Sequence, residues 1–574
     1  MRRIASRFWP ELICCAILLA MGANLLSVTR RKTITNDEIV HIPAGYHYLT
    51  SRTFRLNPEH PPLVKMWACL PLLVIKPEPA LPANYAEQDF ALLTQNSALD
   101  FWRANSDHFK RISLWSRLPM ILLTLALGTL IFIYGHQLFG ARAAVFAVAL
   151  FSLEPTMLAH GRIVHTDMAA ALGYLLFIFS LHAYYRAPTY TRALCFGLAT
   201  GFALLTKFSL LILVPIFIVA LVHTVWQGPL LKSSRRQLVL RAGVAMGAAL
   251  ILINAAYFFR HPKLAEPDVD SIVGITPAIA VQVLNAIRLL AKIFPTYYLF
   301  GVYTVFVHNH FGHPASLLGD YQSFGWWYYF PVVFALKTTI PFLILSVGTL
   351  IWAIWSAIFG RDKRVALLLA AIAIYLAMSM TSNINIGIRH IAPLFPLLFL
   401  LAGAFLDRLL KMKQALRLVA FGIVVLFGWM LVDTIRAYPD YLSFTNPLTF
   451  GRPGWQVLSD SNVEWGEDIG ALARYLHQQG ETKLLGSISG GWATAEMYDI
   501  QLLDFAPPDL DSASTRYVAI GAGFLNGSSM APDFKDAAGN DLSEEQRHNY
   551  FAKYRTLKPE KVFGNSIYLY RKRE

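Results

Sequence analysis

The sequence predicts a polytopic α-helical membrane protein that carries a soluble α/β domain at its C-terminal end. Three observations predict this class. Hydrophobic residues make up 55% of the chain and charged residues only 15%, whereas an ordinary soluble domain has about 25% charged residues. Apolar runs of about 20 residues, the length that crosses a bilayer core, recur along most of the chain. The last part of the chain instead has the mixed composition of a folded soluble domain.

About eleven apolar runs are candidate transmembrane helices. The first follows Arg2, Arg3 and Arg7 and has a poor cleavage pattern, so we interpret it as a retained helix rather than a removed signal peptide. With the N-terminus inside, every inner loop carries Lys or Arg, as the positive-inside rule requires. The candidate spans are 10–28, 115–136, 141–159, 166–185, 191–206, 208–226, 238–259, 329–358, 364–380, 388–406 and 416–436.

This topology leaves three large segments outside the membrane, namely 29–114, 260–328 and 437–574. It divides the chain into a transmembrane domain at 1–436 and a C-terminal extracytoplasmic domain at 437–574. The C-terminal part combines a helical stretch, GEDIGALARYLHQQ, with the strand-like runs KLLGSIS, TRYVAIGAG and NSIYLYRKR. We therefore predict a small α/β domain attached to a membrane core.

The charged and cysteine residues exclude several other classes of protein. The net charge of +14 comes mostly from basic residues between apolar runs, which indicates membrane lipids rather than nucleic acid as the neighbour. The four cysteines form neither a disulfide framework nor a zinc-site spacing. The chain has no Walker loop and no dinucleotide fingerprint, so we expect no nucleotide cofactor.

Ionisable residues close to membrane depth are costly and therefore indicate function, and in this topology they gather on the outer side. Taken singly, several have simpler interpretations. Asp37 and Glu38 are also suited to the first turn of an interfacial helix, Asp167 is suited to a helix cap, and Lys207 can snorkel to the interface. The grouping favours a shared site instead. Its members are Asp37, Glu38, Glu59, His60, Lys65, Arg162, Asp167, Lys207, Lys337 and Arg389.

Carboxylates and cations together indicate a site for an anionic substrate with a general base. A transfer onto a hydroxyl group needs a carboxylate that takes the proton. A phosphate leaving group needs Arg, Lys or a metal to stabilise the developing charge. Because ATP and nucleotide sugars are not available at the outer face of a membrane, we expect a lipid-linked phosphate as the activated donor.

Five segments in order, DEIVHIPAGYHYL, NPEHPPLVK, HTDMAA, GWWYYFPVVFALKT and NIGIRHIAPLFPLL, resemble those of the bacterial phospholipid carrier-dependent glycosyltransferases. These enzymes belong to the GT-C superfamily, together with protein O-mannosyltransferases and the lipid A aminoarabinose transferase. The C-terminal SDSNVEWGEDI also resembles a motif of many bacterial members. The resemblance extends over almost the whole chain and implies an inverting transfer from a polyprenyl-phosphate sugar by a GT-C-like transmembrane domain.

The resemblance also implies roles for individual residues. Asp37 matches the catalytic acid of the first outer loop and would be the general base, with Glu38 orienting it or contacting the acceptor. Asp167 matches the second acidic position and would help to hold the acceptor or a metal. The expected substrate-binding residues are Glu59, His60, Lys65, Arg162, Lys207, Lys337 and Arg389, of which Lys207, Lys337 and Arg389 would bind the carrier phosphate.

Metal binding and the C-terminal motif are each left with two interpretations. In this family the Glu of the Glu59-His60 position can bind a divalent metal, and His313 is the best second ligand in VHNHFGHPASLLGDYQ. The spacing of the histidines there matches no standard ligand pattern. In SDSNVEWGEDI, the simplest interpretation is that Ser461 or Asn462 caps a helix with an acidic first turn. The alternative is an acceptor-binding role for Glu464, Trp465 or Asp468.

The sequence thus predicts a glycosyltransferase in the bacterial cytoplasmic membrane whose site faces the periplasm or exterior. The donor is a sugar on polyprenyl phosphate, and the acceptor is a hydroxyl of a protein, lipid A or another glycan or glycolipid. The alternative is a transporter or flippase of lipid-linked sugars, which would also need ionisable groups at membrane depth. A transporter would place them along a path to both faces, often with inverted repeats, and neither is found in the sequence.

Overall fold

The computed structural model describes residues 2–227, 234–412, 415–503, 515–530, 534 and 540–572. Arg573, the last residue of the run NSIYLYRKR, lies outside them. The chain begins with a long helix and then folds the first outer segment into four further helices. The first of these starts at Asn36 because Thr35 and Glu38 form a capping box. The helices are α1 (Arg2–Thr29), α2 (Asn36–Thr50), α3 (Pro62–Cys69), α4 (Leu72–Ile75) and α5 (Phe90–Ala104).

Seven helices follow and form most of the membrane core. The break after Leu153 arises at Glu154-Pro155, because proline is suited to the first turn of a new helix and not to the interior of one. The helices are α6 (Phe109–Phe139), α7 (Ala141–Leu153), α8 (Pro155–His160), α9 (Asp167–Arg186), α10 (Tyr190–Leu204), α11 (Leu213–Trp226) and α12 (Arg235–Ala256).

The second outer segment contains three helices and a short hairpin, and five more helices return the chain to the membrane. The predicted span 329–358 is two helices, because the backbone is extended at Thr338 and Thr339. The elements are α13 (Glu266–Ile275), α14 (Ala280–Leu290), α15 (Thr296–Phe311), β1 (Ala315–Leu317), β2 (Asp320–Gln322), α16 (Tyr329–Lys337), α17 (Ile340–Ile358), α18 (Lys363–Met380), α19 (Leu394–Leu409) and α20 (Leu416–Ala437).

The C-terminal region contains a five-stranded mixed sheet, which confirms the predicted α/β character and all three strand-like runs. The strand order is β4-β3-β5-β7-β6, with β3 parallel to β4 and β5 while β7 is antiparallel to β5 and β6. The elements are α21 (Ile469–Gln478), β3 (Lys483–Ser487), α22 (Gly491–Thr494), β4 (Gln501–Leu503), β5 (Tyr517–Gly521), α23 (Ala522–Leu525), α24 (Glu544–Asn549), α25 (Ala552–Arg555), β6 (Lys561–Phe563) and β7 (Ile567–Arg571).

Within the described residues, eight helices are long and apolar enough to cross a membrane, so the chain is a multi-pass membrane protein. They coincide with eight of the eleven predicted spans. The other three, at 141–159, 191–206 and 388–406, contain the shorter helices α7, α10 and α19 of 13, 15 and 16 residues. Helices α7 and α19 pack closely inside the core, where Gly403 leaves room for the backbone of Ala143.

Candidate active site

A cavity of about 710 Å³ lies between the membrane core and the C-terminal region. Its walls come from the first outer segment, the outer ends of several membrane helices, the second outer segment and the C-terminal region. Of the residues that the sequence predicts as site residues, the cavity is lined by Asp37, Glu59, His60, Lys207, His313 and Arg389. The distant segments that carry them therefore meet at one place, as the sequence predicts.

Asp37 lies in the first turn of α2 and pairs with Arg389 across the cavity wall. The Arg389 Nη1 donates to Asp37 Oδ2 at 2.7 Å, and the Asp37 side chain remains 23% exposed. Burial disfavours the charged form of Asp37, but the positive charge of Arg389 outweighs this effect and holds the pKa of the carboxyl below its usual range. Asp37 is therefore an ionised carboxylate with one cationic partner and access to the cavity.

Asp167 lies behind this pair rather than on the cavity surface. Its side chain is 1% exposed and forms an ion pair with Lys207. His165 Nδ1 lies 3.1 Å from Asp167 Oδ2, and Arg389 Nη1 lies 3.7 Å from the same oxygen. The predicted contact of Asp167 with an acceptor or metal does not fit this buried position. The geometry instead shows Asp167 holding the two cations that face the cavity.

Glu38 does not line the cavity, although it is next to Asp37 in the chain. Arg117 binds its carboxylate through Nε at 2.7 Å and Nη2 at 2.5 Å, and the backbone N–H groups of Thr35 and Val164 donate to it as well. The side chain has no exposed surface. Successive helical residues point about 100° apart, which is why one carboxylate of the pair faces the cavity and the other faces the protein. The expected contact of Glu38 with an acceptor is therefore not found.

Three of the predicted substrate-binding residues are also buried away from the cavity. Each of them forms hydrogen bonds or an ion pair with oxygen atoms of the protein. Lys65 Nζ donates to Tyr48 Oη at 2.9 Å and to the Asn57 carbonyl at 2.7 Å. Arg162 pairs with Glu467. Lys337 Nζ donates to the carbonyls of Leu442 and Asn462, both at 2.6 Å. These three cations stabilise the protein around the site, and the structure does not place them against a substrate.

Glu59, His60 and His313 line the cavity, and the sequence predicts Glu59 and His313 as ligands of a divalent metal. His313 Nδ1 lies 3.2 Å from His308 Nε2, and its Nε2 lies 3.9 Å from Asp460 Oδ2. Burial lowers the pKa of His313 to about 3, which leaves it neutral. Among the residues that the structure describes, no three His, Cys, Asp or Glu side chains are arranged to hold a metal ion. Glu59 and His313 are therefore not part of such a three-residue group among the described residues, and metal binding by this pair stays a prediction.

The C-terminal motif SDSNVEWGEDI, for which the sequence left two interpretations, contributes residues to the cavity wall. Asp460, Glu464 and Trp465 line the cavity. Glu464 accepts the backbone N–H groups of Ser489 and Gly523, both at 2.8 Å, and burial raises its pKa to about 7. The Trp465 ring lies 4.1 Å from the Arg389 guanidinium, close enough for a cation–π contact.

The expected helix cap in this motif is wrong. The helix α21 begins at Ile469 with Asp468 as its N-cap, whereas Asp460–Asn462 form a separate 3-10 turn. Asn462 instead accepts the Ile388 backbone N–H at 3.0 Å and donates to Tyr329 Oη at 2.9 Å. The motif therefore connects the C-terminal region to α16, which ends at Lys337, and to the 3-10 turn Ile388–Ile391, which carries Arg389. Sequence alone does not show this, because the partners are more than 70 residues away.

Below the cavity lies a network of buried ion pairs in which most members have no substrate access. Lys32 Nζ lies 2.5 Å from both Asp440 Oδ1 and Asp468 Oδ1 and 3.6 Å from Glu467 Oε1. Lys32 lies between α1 and α2, and Arg162, which pairs with Glu467, lies between α8 and α9, so these pairs join the C-terminal motif to two connecting segments. The neighbouring Arg117–Glu38 pair joins α6 to α2. The sequence interpretation missed Lys32, Arg117 and Glu467. Two of them could have been noticed at the edges of apolar runs, namely Lys32 and Arg117, and Glu467 lies in the acidic motif SDSNVEWGEDI.

The fold and the cavity define a multi-pass membrane protein with a charged site where a soluble region meets the membrane core. Residues 109–253 match the family model described as dolichyl-phosphate-mannose-protein mannosyltransferase. The resemblance predicted from the sequence motifs is confirmed over this stretch, which contains HTDMAA and Lys207. The matched family is one of glycosyltransferases. No curated protein matches the chain.

Solved structures give distant similarities over most of the chain. ArnT from Cupriavidus metallidurans, bound to undecaprenyl phosphate, is 14% identical with a TM-score of 0.47, and the match covers 98% of each chain. The Archaeoglobus fulgidus oligosaccharyltransferase in its apo form is 12% identical with a TM-score of 0.46, covering 91% of this chain and 70% of that one. The archaeal oligosaccharyltransferase AglB with an inhibitory peptide and a dolichol phosphate is 12% identical, with a TM-score of 0.41.

Proposed function

We propose that the chain is an inverting glycosyltransferase that moves a sugar from a polyprenyl-phosphate carrier to a hydroxyl acceptor. The reaction takes place on the outer face of the bacterial cytoplasmic membrane, with the cavity facing the periplasm or exterior. The observation that carries the proposal is the pairing of Asp37 with Arg389 at 2.7 Å inside the cavity. It combines, at one point, a candidate base and a candidate phosphate-binding cation.

The cavity suits a donor with a charged head and an apolar tail. Arg389 and Lys207 present cations to the cavity, which supports binding of the carrier phosphate and stabilisation of its charge as it leaves. Other parts of the same lining are apolar and come from membrane helices and adjoining loops, which supports a place for the first units of the prenyl chain. These apolar residues are Phe208, Val305, Phe330, Met378, Ile384 and Ile386.

In the proposed reaction Asp37 accepts the proton of the acceptor hydroxyl. The hydroxyl oxygen attacks the anomeric carbon while the bond from that carbon to the phosphate oxygen breaks, so the polyprenyl phosphate leaves with the bonding electrons. A single displacement inverts the anomeric configuration. A donor phosphate competes with Asp37 for Arg389. Losing this cation would raise the pKa of Asp37 and make the carboxylate a stronger base when the donor is bound.

The test uses purified protein in lipid nanodiscs and a panel of radiolabelled polyprenyl-phosphate sugars, with an envelope extract as the source of acceptor. Release of polyprenyl phosphate is compared between wild type, Asp37→Asn and the control Asp107→Asn. Asp107 is an exposed carboxylate of the same outer segment that lies outside the cavity. We expect release by wild type and by Asp107→Asn, and a loss of at least a hundredfold in Asp37→Asn. A parallel reaction with a chelator tests the need for a divalent metal.

The same preparation separates the transferase from the alternative flippase. If no donor of the panel is consumed, and labelled lipid instead crosses the bilayer of proteoliposomes in a protein-dependent manner, the transferase proposal fails. Equal release by wild type and Asp37→Asn would remove Asp37 as the base while leaving transfer in place. The donor that is consumed identifies the sugar, and the labelled product identifies the class of acceptor.

A further inference from the structure

A second, smaller pocket of about 300 Å³ lies between the β1–β2 hairpin and the C-terminal region. It is separate from the cavity that holds Asp37. The residues that give it chemical character are Ser316, Arg452, Trp455, His548 and Arg555, and none of its described lining residues is acidic. A pocket with two guanidinium groups and no carboxylate favours an anionic ligand.

Both arginines keep donors free for a ligand. Arg452 is exposed. Of the N–H groups of its guanidinium, only Nε–H donates within the described part of the chain, to the Thr449 carbonyl at 3.3 Å. Arg555 donates through three nitrogens to the carbonyls of Leu525 and His548 and to the Asn549 side chain, which uses three of its five N–H groups. Neither arginine has a carboxylate within 4.0 Å among the described residues.

The remaining side chains suit a sugar ring rather than a bare anion. The Ser316 hydroxyl is buried and has no hydrogen-bond partner in the described structure, so it has an unused donor at the pocket wall. His548 Nδ1 is 3.0 Å from the Asn526 carbonyl, which makes Nδ1 the donor and leaves Nε2 as an acceptor in the neutral ring. Trp455 lines the same pocket with a flat apolar ring, a surface on which the C–H face of a sugar can pack.

The pocket and the main cavity share two short segments of chain. Pro314 lines the main cavity, whereas Ser316 lines the small pocket only two residues later. In the same way, Asn526 lines the small pocket, whereas Phe524 and Ser528, two residues before and two residues after it in the chain, line the main cavity. Two residues of extended chain span about 7 Å. The pocket is therefore separated from the cavity by a thin wall, which places it within a few sugar units of Asp37.

We propose that this pocket binds an anionic sugar unit of the acceptor glycan, a hexuronic acid or a sugar phosphate, a few units away from the unit that receives the transferred sugar. In this proposal the anionic group of the sugar pairs with Arg452 and Arg555. A ring hydroxyl forms a hydrogen bond with Ser316 or His548, and the sugar ring packs on Trp455. This inference rests on the proposed transfer reaction and specifies the acceptor for it.

The test measures binding of small probes to the full-length protein in nanodiscs by isothermal titration calorimetry, without donor. The probes are glucuronic acid, glucose 6-phosphate, methyl glucoside and inorganic phosphate. The variants are Arg452→Gln and the control Arg474→Gln, which removes an exposed positive charge from α21, away from both cavities. We expect at least one anionic sugar to bind wild type and Arg474→Gln alike, and at least tenfold more weakly to Arg452→Gln.

Three results would overturn the proposal. They are equal affinity of methyl glucoside and the anionic sugars, equal affinity of inorganic phosphate and glucose 6-phosphate, and unchanged binding in Arg452→Gln. Consumption of the donor is tested separately, by the comparison of wild type with Asp37→Asn in the assay for release of polyprenyl phosphate. The two proposals thus fail independently, because loss of donor consumption is read in one assay and loss of sugar binding in the other.

Discussion

Two neighbouring regions of this protein contain the same types of charged residue but differ in their access to solvent. In the cavity, Asp37 has Arg389 as its ion-pair partner and its side chain is 23% exposed. Directly behind it, Glu38 is fully buried and accepts two hydrogen bonds from Arg117 and two more from the backbone. The Asp37 carboxylate is therefore accessible from the cavity, whereas both oxygens of the Glu38 carboxylate already accept hydrogen bonds from the protein.

The ionisable residues around the cavity therefore fall into two sets. One set lines the cavity, while the other forms buried ion pairs within the membrane core and between it and the C-terminal region. Breaking one partner of a buried pair leaves an uncompensated charge and is strongly destabilising. Substitutions in the two regions should therefore separate into losses of activity and losses of stability.

The largest expected effect is on turnover at Asp37. Asp37→Asn removes the proton acceptor, and we expect a loss of about 10²- to 10⁴-fold in turnover with little change in the thermal unfolding temperature. Glu38→Gln should instead lower the unfolding temperature, because it leaves the buried Arg117 charge without its counter-charge. Single-turnover rates and thermal unfolding of both variants check this. Equal losses of stability in the two variants would contradict the division into two regions.

The next effect is on stability at Arg117. Arg117→Gln leaves the buried Glu38 carboxylate without its cation, and we expect a loss on the order of 3–5 kcal/mol in the free energy of unfolding. The control is Arg111→Gln on the exposed surface of the same helix, for which we expect a change within about 0.5 kcal/mol. Denaturant unfolding in micelles measures both. A stable Arg117→Gln protein would show that the buried pair contributes little.

A smaller effect is expected at Trp465, which joins the two regions. Its ring packs on Arg389 and lies 5.5 Å from the His165 ring, so it positions groups on the donor side of the cavity. We expect Trp465→Ala to raise KM for the donor by about tenfold and Trp465→Phe to restore most of the affinity, since a cation–π contact contributes about 1–2 kcal/mol when it is shielded from water. Steady-state kinetics over a range of donor concentrations measure the split between KM and kcat. A fall in kcat alone would contradict a positioning role.

The last effect is confined to one range of pH and comes from Glu464. Its pKa is raised from 4.5 to about 7, so the folded protein binds more protons than the unfolded chain between these values. Stability from this group is therefore fully present below about pH 4.5 and is lost as pH rises towards 7. We expect Glu464→Gln to flatten the dependence of the unfolding temperature on pH in this range. The control Glu545→Gln, at an exposed residue, should leave that dependence unchanged. Parallel profiles for wild type and Glu464→Gln would contradict the shifted pKa.

Much of the fold was predictable from the sequence because membrane helices are recognised by length and composition. The eight long helices lie where apolar runs predict them. The predicted spans at 141–159, 191–206 and 388–406 contain the shorter helices α7, α10 and α19, and the span 329–358 is broken at Thr338. Composition does not reveal the break, because an apolar run has the same character whether its backbone is helical or extended at one residue.

The site was predictable only in part. The predicted topology and the family resemblance together indicated that Asp37, Lys207 and Arg389 belong to one site, and all three line the cavity. They did not separate these residues from Lys65, Arg162 and Lys337, since a basic side chain has the same chemistry whether it is buried in the protein or lines a cavity. The sequence left the role of Glu464 and Trp465 open, because these residues reach the cavity from a region more than 400 residues away from Asp37.

By itself, the sequence determined the apolar runs that form the long helices, the sheet-containing C-terminal region and the charged residues near the ends of those helices. Only the tertiary structure decided which of those charges are free to act. The physical reason is that burial and pairing depend on contacts between distant segments. Arg117 satisfies Glu38 from 79 positions away, and Arg389 reaches Asp37 from 352 positions away. Which carboxylate keeps an open oxygen is settled by those contacts.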